Sequence, residues 1–225
     1  MNAVIDYSEQ LLSCAKCKDL LAQKRVDPSV NDETVIPKPI VNGIKQRPIM
    51  LVGQAPGIKE YESGKPFQGQ AGQDIRRIFS EIGVTDFDEQ VWSTAVVKCY
   101  PGRKLVKNSR KGGYRVEDEV PPTRMVNNCK PFLEQQIAGV EPKVIVTLGG
   151  FPLKAYLRLR GRKPSEGRLD AFVGKTEQWG EKTIVFFPHT SGSSRWLNDY
   201  ANKQRFEQAK QHLRKALIEA ELTAI

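Results

Sequence analysis

Four cysteines hold most of the chemistry that can be read in this chain. Cys14 and Cys17 form a CxxC near the N-terminus, and Cys99 and Cys129 follow far downstream, with no other cysteine present. Four thiolates, paired once in sequence and otherwise recruited from distant segments, can close one tetrahedral site. Zinc and a [4Fe–4S] cluster both suit such a donor set. A second group surrounds His189, one of two histidines, followed by Thr190, Ser191, Ser193, Ser194 and Arg195. Short hydroxyl donors beside one guanidinium suit phosphate contacts. A third lies in Gly53-Gln54-Ala55-Pro56-Gly57, followed by Glu60, Glu62 and Gly64-Lys65-Pro66-Phe67-Gln68-Gly69. Glycines there let the backbone approach a flat or anionic ligand. Phe67, between Pro66 and Gln68, has a fixed orientation suited to stacking on a base. Taken alone, this loop reads as a structural turn with Phe67 in the core.

The elements that must carry these groups follow from hydrophobic periodicity. Residues from about Tyr7 to Gln23 read as a helix, which puts Cys14 and Cys17 on one face. A polar, proline-containing connector runs from about Val26 to Pro48. Strands are expected at Ile49–Val52, Val91–Val97, Lys143–Leu148 and Thr183–Phe187. Helices are expected at Ala71–Ile82, Thr123–Gly139, after Gly150 to about Leu159, and Asn202–Glu221. His212, on the last helix, reads as a surface residue. Alternating strands and helices indicate an α/β fold with a mostly parallel central sheet. Every unusual loop follows a strand, so the loops should converge on one edge of the sheet, where such folds bind ligands. The whole chain, 1–225, reads as one domain with the CxxC helix packed on it. Residues 100–120 read as a basic insertion loop, in which Arg103, Lys104, Lys107, Arg110, Lys111 and Arg115 cluster.

Composition narrows the class. The chain has 225 residues, with 39% hydrophobic and 27% charged, as in ordinary globular proteins. No apolar run approaches the roughly 20 residues needed to span a bilayer. The first residues lack a basic stretch followed by an apolar one, so no secretory leader is read and a cytoplasmic location is expected. Thiols there stay reduced and available to a metal. Lys and Arg exceed Asp and Glu by 35 to 26, a net charge of +9, which points to a polyanionic partner.

Taken together, these motifs resemble the uracil-DNA glycosylase superfamily, most closely its iron–sulfur branch, family 4. The resemblance rests on GQAPG and GKPFQGQAG after the first strand, Val97-Lys98-Cys99 at the end of the second, Cys129 on the next helix, and His189-Thr190-Ser191 after the last strand. It runs from about Cys14 to the C-terminal helix, and it implies a three-layer α/β/α sandwich with a central four-stranded, mostly parallel sheet. It implies a [4Fe–4S] cluster on Cys14, Cys17, Cys99 and Cys129. It also implies a monofunctional enzyme that removes a deaminated base from DNA and leaves an abasic site. Phe67 would stack under the flipped base, the Gln54–Ala55 backbone would border it, and His189 would stabilise the leaving base. Ser191, Ser193, Ser194 and Arg195 would hold the strand.

Three positions depart from the family pattern. Gln54 stands where an acid is usual; an amide orients water but is no carboxylate base, which leaves Glu60 and Glu62 as the nearby acids. Ala95 stands where an asparagine reads the uracil edge, a loss worth about 1–3 kcal/mol of discrimination. Thr190 replaces a proline. A related branch traps DNA covalently through a histidine in an insertion after the third cysteine. The insertion here has none, so no covalent adduct is expected. The expected substrate is DNA carrying uracil or another deaminated base such as hypoxanthine. A lesion-binding protein with little catalysis and a zinc-stabilised nucleic-acid-binding module remain as alternatives.

Overall fold

The computed structural model describes residues 9–108, 112–190 and 195–222. Its central sheet has five strands: β1 (Ile49–Gly53), β2 (Val91–Ala95), β5 (Val144–Leu148), β6 (Thr176–Trp179) and β7 (Lys182–Phe187). Their order is β2-β1-β5-β7-β6. β2, β1, β5 and β7 are parallel, with Gly53 opposite Ala95 and Leu148 opposite Phe187. β6 adds an antiparallel edge. The expected four-stranded sheet is therefore the parallel part of a five-stranded one. β6 was hidden because Thr-Glu-Gln-Trp is short and polar, as an exposed edge strand must be.

Every residue of β1 and β5 is buried. Successive strand side chains point to opposite faces, so helices must cover both sides of the sheet. The covering helices are α2 (Ile58–Ser63), α3 (Gln70–Glu81), α4 (Phe87–Gln90), α5 (Thr123–Val140), α6 (Gly150–Leu159), α7 (Leu169–Phe172) and α8 (Tyr200–Glu219), after a first short helix, α1 (Lys18–Leu21). α3 buries Ile75, Ile78 and Phe79 at helical spacing. α8 starts where the Asp199 carboxylate accepts the N–H of Asn202, and it buries Phe206, Ala209, Leu213, Ala216 and Leu217. His212 on α8 is half-buried, its Nε2 3.1 Å from the carbonyl of Gly174, and so is more than a surface residue.

Two further expectations are corrected. The helix expected over Tyr7–Gln23 is broken: residues 9–12 are helical, 13–17 are turn or irregular, and α1 begins at Lys18. The Ser13 hydroxyl donates to the Glu9 carbonyl at 2.7 Å, a local bond that competes with helix continuation. Cys14 and Cys17 therefore lie in the break rather than on one helical face. The basic insertion loop contains a β-hairpin, β3 (Arg103–Lys107) paired with β4 (Tyr114–Asp118). Its strands, Arg-Lys-Leu-Val-Lys and Tyr-Arg-Val-Glu-Asp, are short, mostly charged and lack clean alternation, so in sequence they resemble a solvated loop. Arg110 and Lys111 lie outside the described residues.

Candidate active site and thiol centre

β1 connects toward β2 on one side, while β5 connects toward β7 on the other. This reversal opens a crevice beyond the carboxyl ends of the strands. A cleft of about 660 Å³ lies there. The loop after β1 supplies Gln54 and Ala55, the end of β2 supplies Ala95, β5 supplies Leu148 and the turn after β7 supplies His189. Phe67 and Glu60 complete the inner wall.

The loop after β1 is held by β2's continuation. The N–H of Val96 donates to the Gly53 carbonyl at 2.9 Å, and that of Val97 to the Gln54 carbonyl at 3.1 Å. Glu60 ties its other end. Its Oε2 accepts the N–H of Gly57 at 2.9 Å, and its Oε1 accepts those of Gln68 and Gly69, each at 2.8 Å. One carboxylate thus clamps the GQAPG turn to the segment that presents Phe67. Phe67 is half-buried and has φ 53°, a left-handed conformation uncommon for a bulky residue. Two glycines permit it. A Cβ on Gly53 would lie 2.9 Å from Phe67 Cζ, and one on Gly72 would lie 2.0 Å from its carbonyl oxygen.

His189 is half-buried and sits against Gly149, where a Cβ would lie 3.4 Å from the His189 Cβ. Burial lowers its pKa below the ordinary 6.5, so the ring is neutral at pH 7. Thr190, in the place of the usual proline, donates through Oγ1 to the carbonyl of Ala71 at 3.3 Å. That bond joins the last loop to the start of α3. Ser191, Ser193 and Ser194 lie outside the described residues. Arg195 is exposed at the start of a short 3-10 turn, and Trp196 packs against the core. Glu62 is exposed and pairs with Lys59 at 3.1 Å.

Sequence reasoning missed the cleft's outer wall. The hairpin contributes Arg103, Val116, Glu117, Asp118 and Glu119. The available signal was the acidic run Glu117-Asp118-Glu119 closing a Tyr-Arg-Val alternation after Gly112-Gly113.

The four cysteines are all free, and they line one hollow beside Leu11, Pro39, Met125 and Phe132. Cys17, Cys99 and Cys129 are buried. Burial pushes the Cys99 thiol up to about 12, and the charges of Cys129, Cys14 and Cys17 push in the same direction. Burial raises Cys129 as well. The Asn128 amide donates to Cys17 Sγ at 3.3 Å. Lys98 is fully buried at the hollow's edge, and burial pulls it down to about 7, opposed by the Cys129 charge. Its ammonium lies 3.0 Å from Thr94 Oγ1 and 2.6 Å from Gln136 Oε1, and it also donates to the Ala95 carbonyl. So apolar a pocket keeps buried thiols protonated unless a cationic group between them draws off their protons. Among the described residues, no three His, Cys, Asp or Glu side chains are grouped to hold a metal ion. The four cysteines border one small hollow instead.

The family model described as the uracil DNA glycosylase superfamily matches residues 41–214. The chain belongs to that superfamily. A type-4 uracil-DNA glycosylase of Sulfurisphaera tokodaii is 35% identical to this superfamily member over 190 residues, covering 84% of the chain and 73% of the relative. One from Pyrobaculum aerophilum is 39% identical over 130 residues, covering 58% of the chain and 57% of the relative. One from Archaeoglobus fulgidus is 28% identical over 186 residues, covering 82% and 79%. The superfamily match takes in β1 to β7 and most of α8, and therefore every element that lines the cleft's inner wall. Among the described residues, no helix is long and apolar enough to cross a membrane.

Proposed function

We propose that the protein is a monofunctional DNA glycosylase of base excision repair. It hydrolyses the N-glycosidic bond of uracil, or of another deaminated base, in DNA and leaves an abasic site. The observation that carries this reading is the convergence of Phe67, the Gln54–Ala55 turn and neutral His189 on one cleft. A base reaches such a cleft only after leaving the duplex stack, at a cost of a few kcal/mol. Phe67 stacks on the flipped base, and the Gln54–Ala55 backbone borders it. The bond from C1′ to the base nitrogen breaks with its electron pair going to the base. His189, neutral at pH 7, donates a hydrogen bond to the developing anion, a term commonly worth about 10²–10³ in rate. Gln54 orients the water whose oxygen bonds to C1′ and whose released proton neutralises the departed base anion. Glu60 spends its lone pairs on three backbone donors, and we assign it to positioning rather than to proton transfer. Ser191, Ser193 and Arg195 hold the strand near the lesion. Ala95 presents only a methyl group to the cleft, so the base edge is read less strictly than by an amide.

The four thiols fit a [4Fe–4S] cluster held by Cys14, Cys17, Cys99 and Cys129. When bound, such a cluster supplies cationic cross-linking between the N-terminal segment, the end of β2 and α5. Donors to sulfur such as Asn128 are usual around clusters. We take the chain to act as one domain, since a single core runs from Cys17 to Leu217. A reducing, cytoplasmic setting keeps the thiols free. No covalent DNA adduct is expected, because the hairpin in the insertion carries no histidine. A second reading, lesion binding with little base release, is favoured by Gln54 and by the full engagement of Glu60. Alkaline strand cleavage of a uracil-containing oligonucleotide after incubation tests both. Cleavage without an adduct that survives denaturation supports the glycosylase; tight binding without cleavage supports the second reading.

A further inference from the structure

We infer that the cleft-facing side of the β3–β4 hairpin is a DNA-docking surface that grips the nucleotides beside the flipped base. This rests on the proposed function for its partner, since a flipped base brings neighbouring nucleotides to the cleft mouth. The register puts Arg103 opposite Asp118, Leu105 opposite Val116 and Lys107 opposite Tyr114. Directly opposed and alternate residues share a face, so these six residues line one side. Arg103, Val116 and Asp118 on that side line the cleft. From the cleft outward, the face therefore steps from an ion pair to an apolar pair to an aromatic beside a cation.

The inner end of the ribbon is fixed and the outer end is bare. Arg103 donates from Nε to Asp118 at 2.6 Å and from Nη1 to Asp27 at 2.9 Å. Its N–H donates to the Arg25 carbonyl at 2.8 Å, and Lys24 meets Glu119 at 2.6 Å. Beyond this base the two strands pair only with each other. Leu105 is 48% exposed and Tyr114 is 74% exposed. A two-stranded ribbon gains little stability from such side chains in water. Their placement is explained if bases cover them.

Charge selects a polyanion as the occupant. On this face Lys107 carries no ion pair among the described residues, and the chain has net charge +9. The surface is also continuous with the cleft that takes the base. Tyr114 stacks on an adjoining base and Leu105 with Val116 contacts its neighbour, while Lys107 beside Tyr114 meets a phosphate. Two-stranded ribbons are of a size that enters DNA grooves.

The test uses the full chain and an oligonucleotide carrying a tetrahydrofuran abasic analogue, with 2-aminopurine as its neighbour, single- and double-stranded. The analogue has no base to release, so binding is read whether or not the protein is a glycosylase. Tyr114→Ser should weaken binding about tenfold and abolish the change in 2-aminopurine fluorescence, as expected for a lost stacking contact. Lys107→Gln should reduce the slope of log affinity against log salt by about 1. The lysine variant keeps the test decisive if the tyrosine variant is unstable. Unchanged affinity, fluorescence and salt slope in variants with the parent's thermal midpoint would overturn the inference and free this face for a protein partner. Hairpin-dependent binding by a protein that releases no base would instead sink the glycosylase reading alone.

Discussion

The ring of Phe67 rests on the backbone of Gly53, so closely that a methyl group on Gly53 would lie 2.9 Å from Phe67 Cζ. The last residue of β1 therefore sets where the aromatic wall of the cleft stands. Gly53→Ala should push the ring toward the cleft at a cost of about 1–3 kcal/mol in stability, the usual cost of overpacking. Denaturant unfolding measures the cost, and affinity for abasic-analogue DNA measures the displaced wall. Parent-like values in both would mean that the contact sets nothing.

Glu60 accepts three backbone N–H groups from two separate loops. Glu60→Gln removes the negative charge and leaves one carbonyl oxygen for those donors. Charge-assisted bonds of this kind are worth roughly 1.5–3 kcal/mol. The variant should lose stability on that scale and slow base release together. A clamp predicts this joint loss at all pH values. Full stability with base release lost only at high pH would point to a proton-transfer role instead.

Burial holds His189 below the ordinary 6.5. The unfolded chain then binds a proton more readily than the folded one in the window just below that value. Stability contributed by this group is present above pH 6.5 and is lost as pH falls through the folded-state pKa. Unfolding midpoints between pH 7.5 and pH 5 should fall less steeply in His189→Gln than in the parent. Identical slopes would place the imidazole in solvent.

The thiol centre predicts iron. Cys129→Ser should lose the visible absorbance of an iron–sulfur protein, together with most of the bound iron, and should unfold at lower temperature. Retention of iron at the parent level would remove Cys129 from the ligand set. Stoichiometric zinc in the parent would favour a single-ion centre.

The parallel core was legible because β1, β5 and β7 are apolar runs ending in glycine or proline loops, and such runs have few alternatives. The convergence of GQAPG, the end of β2 and His189 followed from topology alone. What stayed illegible depends on tertiary contacts. Leu11 and Leu12 continue a helical pattern up to Ser13, and no local signal at Cys14 shows that four sulfurs must meet. Glu60 resembles a catalytic acid until its three donors, from residues 57, 68 and 69, are seen. The hairpin hides because its base is fixed by Arg103 with Asp27, which are 76 residues apart.

The most direct test is single-turnover base release from oligonucleotides carrying uracil, hypoxanthine or xanthine, single- and double-stranded, by the parent and by His189→Ala. Release of at least one of these bases, slowed about 10²-fold or more in the variant, is the predicted result. No release of any base by a folded, iron-loaded parent, or equal rates in parent and variant, would contradict a glycosylase working through this cleft.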